Sequence, residues 1–142
     1  MSSENIMTPE ARASFAYVHN PQPSKDASKK AKYQLTFLFA KDADLSAMKK
    51  AAKEALEEKF GARMKDPAFQ KRVRSPFRDQ GDFSYDGYTP GCIFVRASSE
   101  TKPGVVDANL QDIIDPSEFY SGCYCRATVR AKGYEVDGNV GV

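Results

Sequence analysis

At 142 residues the chain is one domain long and can bury roughly two-thirds of its unfolded surface, enough for a core without disulfide or metal staples. Its 41% hydrophobic and 11% aromatic content (nine Phe, seven Tyr, no Trp) excludes a disordered chain, and a net charge of +2, from 21 basic and 19 acidic residues, names no polyanionic partner by itself. No apolar run approaches the roughly 20 residues of a membrane span, MSSENIMTPEARAS lacks the regions of a secretory signal, and three cysteines without framework spacing suit free thiols in a reducing compartment.

Residues 1–10 are polar and expected to be loose. A strand fits Arg12–Val18, where Ala13, Phe15 and Tyr17 alternate with Ser14, Ala16 and Val18. Two prolines and small polar residues predict a loop over His19–Lys30. A second strand follows at Lys32–Ala40, with Tyr33, Leu35, Phe37 and Phe39 on one face and Gln34, Thr36 and Leu38 on the other. The clearest helix runs from Asp44, a capping residue, to Phe60, with Gly61 placed for a left-handed end. Leu45, Met48, Ala52, Ala55, Leu56 and Phe60 form its apolar stripe, opposite Lys49, Lys50, Lys53, Glu54, Glu57 and Glu58.

From Gly61 to Gly91, prolines 67, 76 and 90 and glycines 81, 87 and 91 predict a long connection with one or two helical turns near Phe69–Val73. Strand pattern returns at Cys92–Ser98. Val105–Gln111 reads as a short hairpin and Asp115-Pro116 as a turn. Tyr120–Val136 is the longest strand candidate, bent at Gly122 and Gly133. Asp137-Gly138-Asn139 signals a tight turn before another strand, of which Val140–Val142 remain, so a truncated C-terminus is expected. One helix among about five strands predicts a mainly β, α+β fold of OB type: a five-stranded antiparallel barrel with a helix over 44–60 plugging or flanking it, in a single domain over 1–142.

Period two carries the functional argument. On 92–98, Ile93, Val95 and Ala97 form an apolar face while Cys92, Phe94, Arg96 and Ser98 point the other way. On 120–136, Cys123, Cys125, Ala127, Val129 and Ala131 lie opposite Tyr124, Arg126, Thr128, Arg130 and Lys132. Rings interleaved with guanidinium groups suit unpaired bases and their phosphates, although alternating cations also simply solvate an exposed strand. The connection 61–78 adds Arg63, Lys65, Lys71, Arg72, Arg74 and Arg78 against the single acid Asp66, with Phe69 and Phe77 among them and Phe83, Tyr85 and Tyr88 beyond. A flexible basic loop able to close over a strand fits that composition, as does a solvated loop stapled by its aromatics. Lys25, Lys29, Lys30 and Lys32 form a further basic cluster of the kind that solvated turns often carry. The candidate DNA contacts are therefore Tyr124, Arg126, Arg130, Lys132, Phe94, Arg96, Arg74, Phe77, Arg78, Tyr85, Tyr88 and Lys32.

Enzymatic readings find less support. His19 is the only histidine, so any Ser-His or Cys-His relay must run through it. Cys92, Cys123, Cys125 and His19 lack the C-x-x-C knuckle of a zinc clip. Asp79, Asp82 and Asp86 sit in one loop and Asp107, Asp112 and Asp115 in another, rather than on rigid elements around a two-metal centre. No phosphate-binding glycine motif is present, and no catalytic residue, cofactor or metal is predicted.

The stretch KYQLTFLFAKDADLSAMKKAAKEALEEKFG, then SPFRDQGDFSYDGYTPGCIFVRASSETKPGVVDANLQDI, then EFYSGCYCRATVRAKGYEVDGNVGV resembles a family of phage single-stranded-DNA-binding proteins. The resemblance spans Thr8 to Val142. Its most specific pieces are Leu-Phe-Ala-Lys-Asp before the helix, Ala-Ser-Ser with Lys102-Pro103 and Val106-Asp107, and Tyr120-Ser121-Gly122-Cys123-Tyr124. It implies an OB-fold, distantly similar to the helix-destabilising protein of T7-like phages. It also implies sequence-independent binding of single-stranded DNA during phage replication or recombination in the cytoplasm of the infected host; duplex binding stays open, since the basic patches attract any phosphate backbone. Phage or host replication proteins are implied partners, though the acidic tail that often recruits them is absent from this sequence. The alternatives are an OB-type protein-interaction module of a replication complex and, third, a metal-dependent nuclease.

Overall fold

The computed structural model describes residues 5–22, 31–85, 87–136 and 139–142. In chain order the strands and helices are β1 (Ile6–Met7), β2 (Ala11–Gln22), β3 (Lys32–Leu38), α1 (Ser46–Phe60), α2 (Pro67–Arg72), β4 (Val73–Arg74), β5 (Arg78–Asp79), β6 (Ile93–Ser99), β7 (Tyr124–Cys125), β8 (Thr128–Val129), β9 (Tyr134–Val136) and β10 (Asn139–Gly141). The architecture is mainly β, with one main helix and open sheets. Two compact units divide it, one from 11–41 and 79–125, the other from 1–10, 42–78 and 126–142.

The first unit is built on the five-stranded sheet β5-β6-β3-β2-β7, with β5 and β7 at its edges. β3 is central, and a central strand is covered on both faces, which explains its near-continuous apolar run. Leu35, Phe37 and Phe39 are buried on one side and Thr36 and Leu38 on the other. Antiparallel register sets Ala13, Phe37 and Val95 in one buried row.

β2 is bulged. Between the pairs Ser14–Thr36 and Tyr17–Gln34 it spends two residues against one, and Phe15 takes φ of 49°. The simple alternation predicted over Arg12–Val18 is thereby reset, and Tyr17 returns to the face of Ser14. β2 also runs on through Gln22, into the stretch predicted as loop from His19.

In the second unit, α1 buries Met48, Ala51, Ala52, Ala55 and Phe60, close to the predicted stripe. Asp44 accepts from the Ser46 amide at 3.0 Å, and Gly61 takes a positive φ of 52° at the helix end. Phe60 and Phe69 meet edge to face at 5.1 Å and pack with the fully buried Val140, flanked by Leu56, Met64 and Val73. Gly133 is required by close approach: a Cβ there would lie 2.7 Å from Cβ of Lys59 on α1. β10, the strand expected after the Asp-Gly-Asn signal, lies between β4 and β9.

Three expectations need correction. Tyr120–Val136 is not one strand but β7, β8 and β9, because its partner changes: β7 pairs with β2, whereas β8 pairs with β1. Residues 6–8 are not loose, since β1 pairs with β8 and buried Thr8 exchanges bonds with Ala127 at 2.8 and 3.0 Å. The connection 61–91 carries the helical turns expected near Phe69–Val73 as α2, but it also holds β4, β5 and two 3-10 turns, Gly61–Lys65 and Gln80–Asp82. Lys25, Lys29, Lys30, Asp86 and the Asp137-Gly138 turn lie outside the described residues.

Candidate nucleic-acid interface

Strand register assembles the site, because residues directly opposite one another project to the same face. Tyr124, Arg12, Leu38 and Phe94 form one row across β7, β2, β3 and β6. Ser14, Thr36 and Arg96 form the next, and Tyr17, Gln34 and Ser98 the third. Lys32, two positions before Gln34 on β3, ends the same face.

Aromatic rings cover the middle of these rows. Phe94 is 2% exposed and carries Phe83 at 5.6 Å and Tyr88 at 6.0 Å between ring centres. Tyr85 packs on Phe83 at 5.4 Å and on Tyr88 at 5.3 Å, and Phe15 meets its edge at 5.1 Å. Tyr85 and Phe15 are the exposed rings of the cluster, and the bulge at Phe15 is what brings that ring to it. A Phe at positive φ is sterically costly, so this conformation is held by its surroundings.

The loop bearing these rings is tied at its neck. Asp79 accepts from the amides of Gly81 at 2.7 Å and Gly91 at 3.1 Å, and these bonds hold its carboxyl below the usual carboxylate range. Buried Gln80 donates to the carbonyls of Phe39 at 3.0 Å and Ile93 at 2.8 Å, and accepts from the Thr89 amide at 2.9 Å. The Tyr88 and Ser14 hydroxyls are bonded at 2.9 Å. These contacts fix where Phe83, Tyr85 and Tyr88 stand.

Arg12 Nε donates to the Gly122 carbonyl at 3.1 Å. A Cβ on Gly122 would stand 3.7 Å from its Nη2, and one on Gly87 3.6 Å from its Nη1, so the guanidinium lies between two backbone turns. Gly122, at φ of 106°, also donates to Ala13 O at 2.7 Å, and Ser121 Oγ accepts from the Ala16 amide at 3.1 Å, locking this turn along β2. The outcome is an exposed cation beside Tyr124, which is 72% exposed.

Of the predicted contacts, Tyr124, Phe94, Arg96, Tyr85, Tyr88 and Lys32 meet on this face. Phe94 corrects the prediction in one respect. It does project to the face of Arg96, but the loop above buries it, so its ring supports the cluster rather than offering a free surface. Arg78 stands at the boundary, as the first residue of edge strand β5, and Arg126, Arg130, Lys132, Arg74 and Phe77 belong to the other unit. There Arg126, Arg130 and Lys132 are exposed and alternate with half-buried Ala127, Val129 and Ala131, as predicted, although the strand is interrupted. Arg74 donates to Asn139 Oδ1 at 2.9 Å, and Lys49 Nζ lies 6.0 Å from the Phe77 ring centre.

Sequence reasoning missed Arg12, Phe15 and Gln80 as parts of the site, and noted Phe83 beside Tyr85 and Tyr88 without counting it among the contacts. Arg12 was legible as an outward residue at the head of a strand; the Phe15 bulge has no glycine or proline to announce it. Among the described residues no group of three or more His, Cys, Asp or Glu could hold a metal. Burial pushes the Cys125 thiol up to about 11, with Cys123 beside it adding to the shift. Among the described residues no helix is long and apolar enough to cross a membrane.

A mainly β chain with rings and cations on one sheet face is the architecture of a nucleic-acid-binding module. Comparison with known proteins gives the family: residues 4–142 match that of the Enterobacter phage Enc34 single-stranded-DNA-binding protein, and the chain belongs to it. A curated relative, protein p50 of Acyrthosiphon pisum secondary endosymbiont phage 1, is 31% identical over 114 residues, 75% of this chain. The chain spans about three-fifths of that relative, whose matched share is 61%. Among solved structures, the single-stranded DNA-binding protein from bacteriophage Enc34 in complex with ssDNA is similar at a TM-score of 0.68 and 22% identity, covering 96% of this chain and 78% of that one. The T7 single-stranded DNA binding protein gp2.5 is similar at a TM-score of 0.66 and 13% identity, covering 97% of this chain and 82% of that one. At such identities these likenesses speak to the fold.

Proposed function

We propose that this chain binds single-stranded DNA with little sequence preference, across the Arg12–Tyr124 face of its five-stranded sheet, in an OB-type arrangement. The observation that carries the reading is the register, which sets Arg12, Arg96, Lys32 and Tyr124 around the five-ring cluster. Unpaired bases stack on Tyr124, Tyr85 and Phe15, whose rings are exposed, and every base has a π-face, so the contact is tolerant of sequence. Arg12, Arg96 and Lys32 take the phosphates. Duplex DNA keeps its bases stacked inside, so it meets only the charges and binds more weakly. Arg126, Arg130, Lys132 and Arg74 extend the electrostatic attraction from the other unit, and Arg78 from the edge strand β5.

Family membership supports passive protection of replication or recombination intermediates in the cytoplasm of an infected bacterium, without cofactor or catalysis. Fluorescence anisotropy of labelled oligo-dT, titrated at low and high salt, tests this. Affinity is expected to fall steeply with salt and to exceed that for a duplex of equal length. No binding at low salt, or equal affinity for the duplex, contradicts it, and loss of labelled substrate with Mg²⁺ would reveal a nuclease instead.

A further inference from the structure

Two β-turns of the sheet unit approach Arg12, and they are built alike. The Tyr88 amide closes one on the Tyr85 carbonyl at 3.2 Å, with Gly87 at its third position and φ of 86°. The Cys123 amide closes the other on the Tyr120 carbonyl at 3.1 Å, with Gly122 at its third position and φ of 106°. A third-position glycine at positive φ is what such a turn asks for. Each turn opens on a tyrosine and carries a second at or just past its end: Tyr85 and Tyr88 on the first, Tyr120 and Tyr124 on the second. Tyr85, Tyr120 and Tyr124 are exposed, so each turn offers a ring to solvent.

Both turns are moored to β2, at different points. The hydroxyls of Tyr88 and Ser14 are bonded at 2.9 Å on the first. On the second, Gly122 donates to Ala13 O at 2.7 Å and Ser121 Oγ accepts from the Ala16 amide at 3.1 Å. Those two bonds bracket the bulge at Phe15, whose ring meets Tyr85 of the first turn. Arg12 stands between the turns. Its Nε donates to the Gly122 carbonyl at 3.1 Å, its Nη2 faces the Gly122 turn and its Nη1 the Gly87 turn. Neither glycine has a Cβ, so the planar fork enters the gap.

A guanidinium suits that gap as an ammonium does not. It is flat and forked, so its two edges reach both backbones while Nε keeps its bond; a lysine ends in one compact charge. With the gap filled, the rings of the two turns keep a fixed spacing before any ligand arrives. Rings already in place need no ordering on binding, and such ordering costs affinity.

Given that this face binds single-stranded DNA, we infer that Arg12 is a positioning residue as well as a phosphate contact: its guanidinium holds the Tyr85–Tyr88 and Tyr120–Cys123 turns in register, so that Tyr85 and Tyr124 receive bases as one preformed surface. The charge draws the phosphate and the planar shape sets the spacing. Arg12→Lys separates the two roles, keeping the first and losing the second.

Two measurements on the full chain carrying Arg12→Lys or Arg12→Ala test this. In the protein without DNA, amide hydrogen exchange followed by NMR should quicken at Tyr88 and at Gly122 in both variants, and stay as in the wild type at Phe37 and Val95 in the sheet core. In anisotropy titrations with oligo-dT, Arg12→Lys should bind roughly tenfold more weakly, with the wild-type salt slope and melting temperature, because Arg12 is exposed and the charge is kept. Arg12→Ala should lose at least as much affinity and part of the slope as well. Arg12→Lys binding as tightly as the wild type, or unchanged exchange at either turn, overturns the positioning role and leaves Arg12 as a charge alone. An affinity loss accompanied by a lower melting temperature and faster exchange in the sheet core overturns it too, since that marks general destabilisation. A wild type that does not bind oligo-dT at low salt takes down the DNA reading of the face and this role with it, an outcome that a tenfold loss in the variants does not resemble.

Discussion

Tyr124 and Phe94 sit in the same cross-strand row, yet one is 72% exposed and the other 2%. Alternation in the sequence placed both on the outer face and had no means to tell them apart, because what buries Phe94 is a loop more than five residues away in the chain. The consequence is two different outcomes on mutation. Tyr124→Ala should leave stability unchanged and weaken oligo-dT binding by roughly 5- to 150-fold, the 1–3 kcal/mol of one stacked base, with the salt slope retained. Phe94→Ala should cost about 3–5 kcal/mol of stability, read by urea denaturation, because it empties the base of the ring cluster. Arg12→Ala should lower affinity for any sequence and reduce the log–log salt slope by about 0.7 for each single-strand phosphate that Arg12 neutralises. An unchanged slope would remove Arg12 from the phosphate-binding set.

At the level of elements, the helix and the core strands were legible because each obeys one period along its length. α1 begins two residues after its predicted start and ends where predicted, with Ala51 joining the expected stripe. The strand 120–136 was not legible as three pieces, since its inward–outward alternation persists while its partner changes from β2 to β1. Nor was the aromatic loop, whose order rests on Gln80, a polar residue with no sequence motif. Gln80→Leu should leave the carbonyls of Phe39 and Ile93 without this donor and cost about 1–3 kcal/mol, with lower DNA affinity following from loosened rings.

Asp79 makes the same neck sensitive to acid. Its folded-state value is depressed, so the stabilisation it gives is complete above the ordinary carboxylate range and is lost as pH falls through the folded value. Limited proteolysis of the 79–91 loop should therefore accelerate as pH drops below about 4, and Asp79→Asn should flatten that dependence.

For the molecule as a whole, composition and charge gave little, since a net +2 says nothing of where the cations lie. Distribution said more, but it pointed equally to two sets of cations and rings, which the structure separates: six predicted contacts share one sheet face, five belong to the other unit and Arg78 stands on the edge strand β5. Family membership supports the class of ligand proposed, and the register supports the proposed face. The most direct test of that face is an amide chemical-shift titration of the isotope-labelled protein with a short oligo-dT. The largest shifts are expected in 12–17, 32–38, 83–96 and 120–125, with smaller changes at 126–132. Shifts confined to 63–78 and 126–132, with the sheet face silent, would contradict it.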